Sequence, residues 1–109
     1  MQLTDLRDAL LQVTQDVFHY EASHKPDKYI VWAEDGEAGS LNADDQKEEQ
    51  ILQGTIDYFT KTEYDPNFDL IQQKLNSIDI SWRLNSIQNE EKTGYIHYEW
   101  VFEVALWLR

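Results

Sequence analysis

Two copies of the tripeptide His-Tyr-Glu, at His19-Tyr20-Glu21 and His97-Tyr98-Glu99, come nearest to chemistry in this chain. In an extended strand residues i and i+2 share a face, so each copy would present an imidazole beside a carboxylate. Were the two strands neighbours, two histidines and two carboxylates would converge as ligands for a divalent metal. Three-residue matches arise cheaply, and such pairs on sheets are more often exposed cross-strand contacts, so the expectation is no metal site and no cofactor. A second set, Asp57, Glu99 and Glu103 with Arg83, contains the paired carboxylates that acid/base catalysis uses. Its simpler reading is a cross-strand ion pair from Arg83 to Glu99 or Glu103. The sequence has no Gly-rich phosphate loop, GxSxG elbow or HExxH motif, and no cysteine, which removes thiolate catalysis. The expectation is a protein that is not an enzyme, with no catalytic residue assigned.

The elements that must position these residues are legible in the hydrophobic periodicity. In the last third, Ile80 to Ile87 and Tyr95 to Leu106 read as two consecutive aromatic strands joined by a charged turn ending in Thr93-Gly94. Along the second, Ile96, Tyr98, Trp100, Phe102, Val104 and Leu106 fall on one face, a core. His97, Glu99 and Glu103 fall on the other with Val101 and Ala105, a mixture unlike pure solvent surface. Upstream, Leu6, Leu10, Val13 and Val17 recur at helical spacing over Thr4 to Gln15, with Thr4 or Asp5 available as N-cap. Val17 to Tyr20, Tyr29 to Glu34 and Ile51 to Lys61 read as strands, the last with Gly54 marking a bulge or a close backbone approach. A second helix runs from Pro66 to Asn76, capped by Asp65. The order is helix, strand, strand, strand, helix, strand, strand. This is an α+β domain with two helices on one face of a mainly antiparallel sheet of about five strands.

At 109 residues the chain holds one domain, residues 1–109, around one core. Four tryptophans, six tyrosines and four phenylalanines suit a sheet packed against a few helices. Trp82 and Trp100 lie in phase with the apolar faces, whereas Trp107 is out of phase and is the interface candidate. No apolar run is long enough to span a membrane, and Met1 to Asp5 lacks the look of a signal peptide, so a cytoplasm-like compartment and no membrane partner are expected. Twenty-one acidic residues against nine basic ones give a formal charge of −12, which argues against phosphate binding. Six acids, Asp35, Glu37, Asp44, Asp45, Glu48 and Glu49, crowd the stretch from Asp35 to Gln50, which reads as a mobile hairpin loop, either simply a solvated charge run or an arm that would order on a partner.

Three stretches, Gln53 to Pro66, Ile80 to Ser86 and Glu90 to Trp100, together resemble the tail terminator, or tail completion, proteins of long-tailed phages and prophages. The resemblance covers the second half of the chain closely and the first half in element order. It implies an α+β domain with a long hairpin and a mobile loop. It implies a homo-oligomer, a hexameric ring in the virion tail, assembled in the host bacterial cytoplasm. Its partners would be the tail tube protein and the head-completion connector, with DNA only as passing cargo through a channel whose acidic wall does not hold it. By the same resemblance Asp57, Arg83, Glu99, Glu103 and Trp107 would face a neighbouring subunit or the lumen, and the acidic loop would meet a partner. The rival readings are another head-to-tail joining or minor capsid protein and, from a different class, an acidic DNA-mimic inhibitor.

Overall fold

The computed structural model describes residues 1–39 and 49–107, the side chains of Glu49 and Trp107 excepted. The elements are α1 (Leu3–Leu11), β1 (Val17–His19), β2 (Lys28–Glu37), β3 (Glu49–Thr60), α2 (Asn67–Asn76), β4 (Ser81–Glu90) and β5 (Tyr95–Trp107). The five strands form one sheet in the order β1-β2-β3-β5-β4, with β1 parallel to β2 and every other pair antiparallel. This is the expected α+β architecture in the expected element order.

Both helices contribute to one core against one face of the sheet. Leu6 and Leu10 of α1 and Ile71 and Leu75 of α2 meet Ile30, Trp32, Ile56, Tyr58, Trp100, Phe102 and Val104, all almost fully buried. The alternation along β5 places Tyr98, Trp100, Phe102 and Val104 inward as read from the sequence. Two indole N–H groups anchor α2 to the strands: Trp100 Nε1 donates to Gln72 Oε1 (3.1 Å) and Trp82 Nε1 to Asn76 Oδ1 (3.0 Å).

Several boundaries differ from the sequence reading. α1 stops at Leu11, because the Thr14 hydroxyl accepts the Asp16 N–H in a competing turn, so Val13 lies beyond the helix and Val17 belongs to β1. Its N-cap is Gln2, whose N–H donates to the Asp5 carboxylate, instead of Thr4 or Asp5. β1 ends one residue early because Tyr20 adopts φ +75°, a left-handed turn. β2 and β3 also reach into the stretch read as loop: Asp35 and Glu37 lie in β2 and Glu49 in β3, while Asp44, Asp45 and Glu48 lie outside the described residues.

Gly54 fulfils both of its expected roles. It pairs with Glu34, immediately before the β2–β3 register shifts to Gly36–Gln53 and leaves Asp35 as the extra residue. A Cβ there would fall onto the Ala33 carbonyl oxygen, 2.7 Å from Phe102 Cζ and 2.8 Å from Glu34 Cα.

Asp65 ties β3 to the start of α2. Its side chain is buried; Oδ2 accepts the hydroxyls of Tyr58 (2.6 Å) and Thr60 (2.7 Å), and Oδ1 accepts the Asn67 N–H (2.9 Å). Lys28 Nζ stands 3.4 Å away. Burial alone would raise its pKa, but these hydrogen bonds and the lysine charge outweigh burial and hold the carboxyl below the usual range. Asp65 accepts the Asn67 N–H as its capping role requires, but the N-cap position is Pro66 and the helix starts at Asn67, one residue later than read.

Candidate functional site on the open face of the sheet

Because both helices cover one side, the other side of the sheet is built from every second residue of the strands with no helix over it. Three cross-strand rows organise it. Tyr29, Phe59, His97 and Gln88 stand abreast, then Val31, Asp57, Glu99 and Ser86, then Ala33, Thr55, Val101 and Arg83. The residues of β3 and β5 in these rows are half-buried.

The first row is a ring stack. Tyr29 lies on Phe59 at 4.7 Å between centroids, and Phe59 on His97 at 4.2 Å. Tyr95 closes the end edge-on to Tyr29 and donates its hydroxyl to the Pro26 carbonyl (2.8 Å), so the 20–28 loop walls this side. A groove of about 450 Å³ runs between that loop and the rings. At the hairpin end a second groove, about 470 Å³, lies over Thr55, Val101 and Arg83.

Between the grooves sits a polar cluster. His97 Nε2 and Asp57 Oδ1 are 2.7 Å apart, and Glu90 Oε2 lies 3.6 Å from His97 Nδ1. Asp57 stands directly opposite Glu99, and the donor atoms of Asp57, His97 and Glu99 lie within 4.8 Å of one another. The hydrogen bond to Asp57 raises the His97 pKa above its usual range; burial acts the other way, and the charges of Asp57, Glu90 and Glu99 add to the rise.

No family model matches the chain, and no curated protein matches it. The site is therefore read from its own geometry.

The two His-Tyr-Glu copies do not meet. β1 is separated from β5 by β2 and β3, and His19 points to the helix side of the sheet, where it stacks on Trp32 at 4.0 Å and bonds Glu34 (2.6 Å). Burial raises the Glu34 pKa, but hydrogen bonds with Tyr20 and His19 reverse this and leave it lowered. His97 and Glu99 gain Asp57 as their companion instead, which the sequence offered only in the separate acid/base set.

Asp57, Arg83, Glu99 and Glu103 share the open face as expected, but the ion pair does not form as read. Arg83 faces Val101 and donates from Nη1 to Asn85 Oδ1 (3.1 Å), while Asn85 Nδ2 donates to Glu99 Oε1 (2.6 Å). Among the described ion pairs none joins Arg83 to Glu99 or Glu103. The cause is a bulge: the β4–β5 register jumps from Leu84–Trp100 to Ser86–Glu99 and inserts Asn85 between the two charges. Glu103 is exposed, at the hairpin end. Trp107 pairs in backbone register with Glu49, and its side chain lies outside the described residues. Asn85 and Glu90 were missed by sequence reasoning, since neither residue type carries a periodic signal; the Phe59–His97 stack was within reach once both strands were placed on one face.

Proposed function

We propose that this chain is a tail terminator protein of a long-tailed phage or prophage, a structural subunit that closes a tail tube as a ring and offers a surface for head attachment. The observation that supports this best is a sheet shielded on one side and bare on the other, drawn out at one end. β2–β3 pairing continues to Glu37–Leu52 and β3–β5 pairing to Glu49–Trp107, whereas β4 leaves the sheet at Ser81–Glu103. β3 and β5 thus continue past β4 as an arm, with β2 beside them for the first pair. Such an arm is suited to reach a neighbouring copy or a tube end, and its β-strand pairing keeps it stiff.

The bare face supplies the second surface. Its half-buried Val31, Ala33, Thr55 and Val101 beside Asp57 and Glu99 have the mixed character of subunit contacts more than of solvated strands. Among the described residues the outer edge of β4 has no strand partner, and it gives a ring neighbour a backbone to meet. A head-to-tail contact between unlike surfaces closes into a ring when the rotation permits. The charge of −12 per copy would line such a ring with a potential that repels DNA, so that DNA slides without sticking.

Light scattering behind a sizing column, run across concentration with and without tail tube protein, tests this reading. A discrete species near six copies, alone or on the tube, is the expected result. A chain that stays monomeric under both conditions overturns it. In a producing strain, depletion should give overlong tubes; normal-length tails that fail to join heads would assign the chain to head-to-tail joining instead.

A further inference from the structure

We infer that Asp57, His97 and Glu99 form a site for a divalent first-row transition metal on the open face of the sheet, with zinc the probe that fits it. The site goes beyond the assembly role and takes all three ligands from a single chain.

The donor set comes first. One imidazole and two carboxylates are ligands that zinc, cobalt, nickel and manganese accept. Donor atoms around a tetrahedral ion bound at ~2.0–2.1 Å stand about 3.3 Å apart. The three side chains already place theirs within 4.8 Å, with His97 Nε2 and Asp57 Oδ1 at 2.7 Å, so small side-chain rotations suffice. The ion takes the place of the proton that now lies between Nε2 and Oδ1, and that proton leaves to solvent.

Two of the three donors, His97 and Glu99, are also held from behind. Glu90 Oε2 stands 3.6 Å from His97 Nδ1, too far for a hydrogen bond but near enough for its charge to act on the ring. Phe59 stacks on the imidazole plane and limits its rotation. Asn85 Nδ2 occupies one oxygen of Glu99 and leaves the other for the ion, and Arg83 in turn fixes Asn85. The ligands rise from β3 and β5, each paired on both sides, and not from loops.

Electrostatics favours the same cation. Asp57 and Glu99 are directly opposite, a placement of like charges that costs stability in a sheet, and Glu90 adds a third acid. The nearby guanidinium of Arg83 is directed at Asn85. Three donors from one chain leave a fourth position toward the groove beside Tyr29 and Phe59, open to water or to a small oxygen ligand.

Titration of the chelator-treated full chain with zinc chloride, followed by calorimetry, and with cobalt chloride, followed by visible absorption, reads the site. The expected result is one equivalent bound and cobalt bands of a four- or five-coordinate nitrogen–oxygen set. His97→Gln and Asp57→Asn should each weaken zinc binding more than tenfold, Asn85→Ala by roughly tenfold or more through the orienting contact, and His19→Ala not at all. Folding of each variant is checked by circular dichroism. NMR of the histidine imidazoles in the unaltered protein decides the matter without any variant: His97 signals should shift or broaden at one equivalent while those of His19 and His24 hold. No binding up to millimolar zinc, or a response at His19 or His24 with His97 unmoved, overturns the inference.

Discussion

Removing the Asp65 carboxylate is the perturbation whose size the structure fixes best. Asp65→Ala deletes the acceptor for two hydroxyls, Tyr58 at 2.6 Å and Thr60 at 2.7 Å, both on fully buried residues, and the cap on the Asn67 N–H. A hydrogen bond to a charged group contributes about 1.5–3 kcal/mol, and a buried donor left without an acceptor costs about 1–3 kcal/mol. Tyr58 retains the Asn67 amide contact at 3.1 Å, and Lys28 is too exposed to add much. The loss is therefore about 3–5 kcal/mol, a large share of the stability of a domain this size. At about 4 °C per kcal/mol, thermal unfolding followed by circular dichroism should drop by more than about 10 °C. Asp65→Asn keeps the shape and one acceptor oxygen, and should lose about half as much.

The sign of the pH dependence is fixed as well. The folded carboxyl titrates below its ordinary value of 3.8, so its contribution is fully present above that value and is lost as pH falls through the folded pKa. The difference in melting temperature between the wild type and Asp65→Asn should hold from pH 7 to about 5 and shrink below pH 4. A fall of under about 4 °C for Asp65→Ala at pH 7, or an Asn gap that does not change between pH 7 and pH 3, refutes the reasoning.

Two glycines give a matched contrast in urea unfolding. Gly54→Ala should destabilise by at least about 1–3 kcal/mol, since its Cβ meets backbone of β2 and the Phe102 ring. Gly94→Ala meets nothing within 4 Å and should cost only the roughly 1 kcal/mol of a side chain at φ +80°. Equal effects would mean that Gly54 is not a point of close approach. Trp100→Ala should destabilise by about 3–5 kcal/mol, read from the same transitions, because a fully buried indole and its bond to Gln72 are both removed. A cost below about 1 kcal/mol would show that the core can collapse around the gap.

The inward face of β5 was readable because period-two alternation of large apolar residues from Ile96 to Leu106 admits only one register against a core. Asp65 was readable as a cap, since its position before Pro66 is a local signal; its contacts to Tyr58 and Thr60 were not, because they depend on how α2 docks on β3. The site was half visible. His97, Glu99 and Asp57 could each be placed on the open face from alternation, but their meeting depends on strand order, and β5 lies between β3 and β4 in a way that chain order does not announce. The conditional meeting of His19 with His97 does not occur, for the same reason. Asn85 escaped notice because a bulge is a one-residue insertion set by pairing across strands, and no propensity in Leu84-Asn85-Ser86 marks it. The helix end at Leu11 was overrun because Val13 and Val17 continue the apolar spacing while the chain between them turns.

The place of β5 between β3 and β4 also governs how the chain can fold during its synthesis. Translation delivers β1, β2, β3, α2 and β4 first, yet neither β4 nor the inner edge of β3 has a backbone partner until Tyr95–Trp107 has emerged. A nascent chain halted after Glu90 would carry two unsatisfied strand edges, the situation that recruits other chains into aggregates. Much of the sheet then closes by insertion of one late strand across a sequence separation of some forty residues, as in the Asp57–Glu99 pair. Such non-local closure slows folding, and it leaves the fate of each newly made molecule resting on its most aromatic segment.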